Sequence, residues 1–104
     1  MRISDDEERT LKAKALALRA DVLRAVKAAR AGHLGGALSA ADIMAVLYFR
    51  VLRIDPAKPL MADRDRFVLS AGHKCLILYA ALAERGFFPE ELLDSYGTLD
   101  SHLP

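Results

Sequence analysis

Three observations in this 104-residue chain predict the front part of an α/β domain, mostly helical, with one short buried parallel strand. Apolar residues recur at helical steps of three and four from Leu11 to Ala29. A brief run with aromatic and β-branched members, Arg66-Phe67-Val68-Leu69, reads as the strand. That run then passes through a glycine-containing turn into another helical pattern, which makes half of a βαβ unit.

The first helix starts at Ser4-Asp5-Asp6-Glu7, a capping box. The serine oxygen accepts the third backbone N–H and Glu7 reaches back to the serine N–H. Acidic residues in this turn also face the positive end of the helix dipole. Leu11, Ala15, Leu18, Val22, Val26 and Ala29 form a single apolar stripe, and the helix is expected to end at Gly32. Three glycines within Gly32-His33-Leu34-Gly35-Gly36 are predicted to interrupt helical structure.

Ser39, with Asp42 three residues on, predicts a second capped start. From Asp42 to Leu52 the helix is apolar nearly all round, through Ile43, Met44, Val46, Leu47, Tyr48, Phe49 and Val51, so it is expected to be central and buried. Pro56 and Pro59 impose an extended loop. After the strand, Ser70-Ala71-Gly72-His73 leads into a third helix from Lys74 to Glu84, stopped by Gly86. Pro89 then opens a short helix through Ser95. A lone strand leaves backbone groups without partners, so the pairing edge is expected from residues outside this chain. Residues 1–104 accordingly read as one partial domain with no second domain, and a chain this short is only modestly stable alone.

Composition narrows the function. With 15 basic and 14 acidic residues, no block of like charge supplies a nucleic-acid footprint. The basic residues between Lys12 and Arg30 alternate with alanine and leucine, as on a solvated helix face. The 53% hydrophobic content fits either a piece that packs against something else or alanine-rich helices alone. A single cysteine, Cys75, excludes an internal disulfide and a CxxC knuckle, and points to a reducing cytoplasm. The charged and polar opening, Met1 to Thr10, predicts no leader. The apolar run Leu76 to Ala83 falls far short of the ~20 residues that span a bilayer, so a protein off the membrane is expected.

Two loops carry the candidate chemistry: Gly32-His33-Leu34-Gly35-Gly36 and Ser70-Ala71-Gly72-His73. Each sets a histidine beside glycine at a junction of regular elements. Glycine lets a ligand approach the backbone, and histidine both donates and accepts near neutral pH. The second loop enters a helix amino terminus, where unpaired N–H groups attract anions. Spacing alone leaves capping or packing equally open for either histidine. His33, His73, His102 and Cys75 reach the count for zinc, but their spacing matches no common zinc motif, so no metal ligand is expected in this chain.

Taken together the loops are more specific. Gly32-His33-Leu34-Gly35-Gly36 resembles the GH-x-GG loop of the transketolases. Asp63-Arg64-Asp65-Arg66-Phe67-Val68-Leu69-Ser70-Ala71-Gly72-His73 is similar to that family's DRDRFVLS-x-GH signature. Leu52-Arg53-Ile54-Asp55-Pro56 and Leu78-Tyr79-Ala80 fall where the family has comparable residues. The resemblance implies the diphosphate-binding domain of a thiamine-diphosphate-dependent transferase of the pentose phosphate pathway, moving a two-carbon ketol unit between sugar phosphates. It implies that His33 is catalytic, at the cofactor's reactive carbon and in proton transfer, and that His73 binds the cofactor near its diphosphate.

The same resemblance implies a requirement for Mg2+, with the metal ligands beyond this chain in a GDG motif and a later asparagine. It also implies an activating glutamate from a separate pyrimidine-binding domain. Expected partners are the sugar-phosphate substrates and the remaining transketolase domains or a carboxy-terminal subunit, in a cytoplasmic homo- or hetero-oligomer, typically a dimer. The isolated chain is then expected to be inactive. Lys74 and Cys75 stand where many relatives have small residues; a solvent-facing lysine and a cysteine that merely packs are expected. Ser101-His102-Leu103-Pro104 stops before the family's GHP triplet, which leaves His102 at a variable position. Two alternatives are a non-catalytic helical interaction module that binds through its second helix, and a related ketol transferase acting on a sulfo-sugar or deoxy-sugar.

Overall fold

A computed structural model describes residues 2–30, 34–98, 101 and 103. Four α-helices form it: α1 (Asp5–Ala29), α2 (Gly35–Ser39), α3 (Ala41–Val46) and α4 (Cys75–Arg85). A π-helical stretch, Leu47–Val51, extends α3, and 3-10 turns occupy Gly72–Lys74 and Glu90–Ser95.

The start of α1 follows from its sequence. The Glu7 N–H donates to Ser4 Oγ at 3.1 Å, and the Ser4 N–H donates back to Glu7 Oε1 at 3.3 Å. Leu11, Ala15, Leu18 and Val22 are buried along the expected stripe, joined by Asp21 and Ala25. The helix ends earlier than expected, at Ala29, because Arg30 takes a left-handed conformation with φ 55°. Gly32 lies outside the described residues.

The second glycine pair does not break helical structure. Gly35 and Gly36 open α2, and the Leu38 N–H donates to the Leu34 carbonyl at 2.8 Å. Ser39 closes α2 and does not cap α3; its hydroxyl donates to the Gly36 carbonyl at 2.9 Å. Serine back-bonding of this kind replaces the cap geometry expected at Ser39. Asp42 is thereby released to pair with Arg19 of α1 at 3.1 Å.

The segment after Asp42 is only half buried. Met44, Ala45 and Tyr48 face the core, while Ile43 is 65% and Val51 49% exposed. A helix lying on α1 and α4 covers one side of itself, so its apolar opposite face stays open. The π stretch is marked by the Leu52 N–H donating to the Leu47 carbonyl at 2.8 Å, an i to i+5 bond.

The strand expected at Arg66–Leu69 is absent: no strand occurs among the described residues. Phe67 packs edge-on against Tyr48 with ring centroids 5.9 Å apart, whereas Val68 is 84% exposed. The physical reason is the lack of a partner. A strand is defined by its ladder, and no second run among these residues lies alongside to form one.

The third helix begins one residue later than expected and ends at Arg85. Gly86 has φ 99°, with its N–H donating to the Ala83 carbonyl at 3.1 Å and the Phe87 N–H to the Leu82 carbonyl at 2.9 Å. These two bonds make a Schellman motif. Arg85 adds a cross-chain tie, donating from Nε to the Tyr48 carbonyl (3.1 Å) and from Nη2 to the Ile54 carbonyl (3.3 Å). The short helix after Pro89 is present as the 3-10 turn Glu90–Ser95, held to α1 by a two-pronged pair from Arg24 to Asp94 at 2.7 Å. Leu18, Val22, Ile77 and Leu93 are completely enclosed where α1, α4 and this turn meet. No helix among the described residues is long and apolar enough to cross a membrane.

Candidate functional site

The Gly72–Lys74 turn presents His73. The Gly72 N–H donates to the Ser70 carbonyl at 3.1 Å and the Lys74 N–H to the Ala71 carbonyl at 2.9 Å, folding the backbone tightly before α4. Gly72 and His73 are exposed at the amino end of an eleven-residue helix. A Cβ placed on Gly72 meets nothing within 4 Å, so the backbone is bare towards its surroundings. A bare backbone, a helix amino terminus and an exposed imidazole are features that attract anions in general.

The first loop lies beside this turn. A Cβ on Gly36 would sit 3.1 Å from Lys74 Cγ and 3.2 Å from Cε, so the lysine stem lies across the bare Cα of Gly36. Lys74 is half-buried, with its stem packed on Gly36. The packing joins two motifs that are far apart in sequence, and a lysine stem covering backbone in this way leaves its charged head free to reach water. Gly35 is exposed, with nothing within 4 Å of a Cβ. His33 and His102 lie outside the described residues.

Cys75 opens α4 half-buried against the core, as a packing residue does. Burial, with Cys75 alongside, pushes the Tyr79 phenol up to about 12. Among the described residues, His73 and Cys75 join no group of three possible metal ligands. A cavity of about 270 Å³ lined by Tyr48, Ile54, Arg64, Asp65 and Phe67 includes neither His73 nor Gly36. Its polar lining is spent on structure: Asp65 accepts the Arg53 N–H at 2.6 Å and returns its own N–H to the Arg53 carbonyl at 2.8 Å. Asp63 pairs with the Arg53 side chain at 3.1 Å. The two aspartates thus fasten the loop after the π stretch to the approach of the histidine turn.

A histidine turn at a helix terminus beside a glycine loop suits an anionic ligand such as a diphosphate, and comparison with known families gives the class. Residues 10–104 match the family described as "Transketolase, thiamine diphosphate binding domain". The chain belongs to that family. It is 52% identical over 73 residues to the 6-deoxy-6-sulfo-D-fructose transketolase subunit SqwG of a Clostridium species, covering 70% of this chain and 26% of that protein. It is 44% identical over 75 residues to one of the subunits of the apulose-4-phosphate transketolase of Phocaeicola vulgatus, covering 72% of this chain and 27% of that protein. The mouse (Mus musculus) transketolase is 48% identical over 93 residues, covering 89% of this chain and 15% of that protein. The chain thus spans about a third or less of the curated relatives it matches.

Proposed function

We propose that this chain supplies one wall of the diphosphate site in a transketolase-type transferase, which moves a two-carbon ketol unit between sugar phosphates. The observation that carries the reading is the contact of Lys74 with Gly36, which brings the glycine ends of both histidine motifs to the amino terminus of α4. Thiamine diphosphate, when bound, supplies the nucleophilic carbon and the electron sink. The residues present fit its anionic end: His73 donates an N–H to a diphosphate oxygen, Gly72 lets that oxygen approach the backbone, and the Lys74 ammonium adds positive charge.

His33 is proposed as the catalytic residue, holding substrate and passing a proton, a role suited to a group that titrates near ~6.5. The magnesium ligands and the activating glutamate belong to parts outside residues 1–104, which form a partial diphosphate-binding domain. Two of the relatives are named as subunits, which supports a complementary transketolase chain or domain as the partner, in a cytoplasmic dimer or hetero-oligomer. A sulfo-sugar or a sugar phosphate is the substrate class that these relatives' names favour. The interaction-module reading has only the open face of α3 in its favour, and a larger enzyme covers such a face equally well.

The test is reconstitution. With thiamine diphosphate and Mg2+, the chain alone is expected to show no ketol transfer, and a complementary transketolase chain is expected to restore it. Robust transfer by the 104-residue chain alone overturns the partial-site reading. Failure of every complement, together with no thiamine diphosphate binding, overturns the functional one.

A further inference from the structure

Asp21 is the buried charged residue of the core, 6% exposed on the inner face of α1. Its Oδ2 is sealed from solvent and has no hydrogen-bond partner. It faces two other acids: one carboxylate oxygen from each of Asp21, Glu84 and Glu90 lies within 4.8 Å of the others. Glu84 stands at the carboxyl end of α4, and Glu90 starts the 3-10 turn. The cluster therefore ties together the three elements that enclose Leu18, Val22, Ile77 and Leu93.

The neighbouring cations offset it only in part. Arg24 is engaged by both oxygens of Asp94 at 2.7 Å and reaches Glu90 only at 3.9 Å. The Lys14 ammonium sits 4.9 Å above the Phe49 ring. Three carboxylates thus converge with one of them desolvated, an arrangement that is unfavourable unless something positive stands between them. Burial pushes the Asp21 carboxyl up, Asp21 raises Glu84, and Glu84 raises Glu90. Either a shared proton or a bound cation relieves that crowding, and the exposed side towards Glu90 admits a cation.

We propose that Asp21, Glu84 and Glu90 form a binding site for a hard divalent cation of calcium size, which clamps α1 to the carboxyl end of α4 and to the Glu90–Ser95 turn. An all-carboxylate donor set selects hard cations over zinc or copper. Mg2+ demands near-ideal octahedral geometry and dehydrates reluctantly, whereas Ca2+ takes a flexible set of oxygens, so a partly sealed group of donors within 4.8 Å of one another favours calcium. The half-exposed Glu84 and the exposed Glu90 leave an open side for coordinating water. Glu84 lies eleven residues beyond His73, roughly 15 Å along the helix rise, so the ion acts on the fold and not at the histidine turn.

The test is calorimetric titration of the EDTA-stripped full chain with CaCl2 and with MgCl2, without thiamine diphosphate, together with thermal melts in each salt. Saturable one-site binding is expected, at least tenfold tighter for Ca2+, with a melting temperature several degrees higher in calcium. Asp21→Asn and Glu90→Gln should each abolish both effects; the second alters an exposed side chain and serves if the first disturbs folding. Absence of saturable Ca2+ binding overturns the proposal, as does binding undiminished in both variants. A melting temperature that rises on acidification and ignores calcium also overturns it, since the cluster then holds a proton.

Discussion

The two ends of α4 are built on opposite principles. At the carboxyl end, Gly86 completes a two-bond Schellman stop and Arg85 ties the carbonyls of Tyr48 in the π stretch and of Ile54 just after it. These bonds satisfy backbone groups that would otherwise be stranded, although the Asp21 cluster beside them keeps a sealed oxygen without a partner. At the amino end no side chain caps the helix, Gly72 and His73 are exposed, and a Cβ on Gly72 would touch nothing. The backbone of one end is closed by its own chain, whereas the other carries no side-chain cap. Open backbone at a helix amino terminus favours function, whereas a saturated carboxyl end favours stability.

The sharpest way to break this contrast is His73→Ala. If the amino end serves a ligand, the substitution should weaken thiamine diphosphate binding in the reconstituted enzyme by about 10–100-fold, the worth of one hydrogen bond to a charged group. The melting temperature should stay within the range of a neutral surface change, about ±0.5 kcal/mol. Calorimetric binding and a thermal melt check the two halves separately. A clear loss of stability with unchanged affinity would assign the turn to folding.

That contrast is partly legible in the sequence. The capping box at Ser4, the stripe through Leu18 and Val22, and the stop at Gly86 all depend on neighbours within four residues, and all are present. What is not legible depends on residues far apart. Glycine propensity argues against α2, but packing overrides it by burying Ala37 and, just beyond, Ala41. Arg66–Leu69 has strand composition, yet a ladder needs a second strand, which no local pattern reports. The packing of the Lys74 stem on Gly36 is not legible either, because the two lie 38 residues apart.

Asp21 is different, because a signal is available: it lies three residues after Leu18 and one before Val22, so its position belongs to the buried stripe. An acid on such a stripe marks a site to examine. Of the two candidate site residues, His73 lies in the turn before α4, without the strand expected ahead of it, and His33 lies outside the described residues.

Arg85→Met tests the closed end and should act on stability alone. The methionine keeps most of the apolar stem while removing both donors, leaving the Tyr48 and Ile54 carbonyls without their arginine partner. A cost of about 1–3 kcal/mol is expected, read as a lower denaturation midpoint with an unchanged denaturant slope. Thiamine diphosphate affinity in the reconstituted enzyme should not move beyond what instability explains. If affinity falls while the midpoint holds, the two ends of α4 are coupled and the division of labour fails.

The smallest effect belongs to Asp94, at the outer rim of the closed end. Its hydrogen bond with Arg24 holds the Asp94 carboxyl below the usual carboxylate range. A carboxyl lowered by folding stabilises above its unfolded pKa, near ~3.9, and that contribution is lost as pH falls through the folded value. Asp94→Asn should therefore differ slightly from the natural chain at pH 7 and converge with it in strong acid, because screening at so exposed a pair leaves little to lose. Melting curves of both proteins across that range, recorded in EDTA, separate this pair from the Asp21 cluster. The cluster's raised carboxyls act in the opposite sense, stabilising at low pH and losing that contribution as pH rises. A difference that persists undiminished into strong acid would mean that Asp94 acts through packing and not through its charge pair with Arg24. The rim would then owe its order to shape and not to charge.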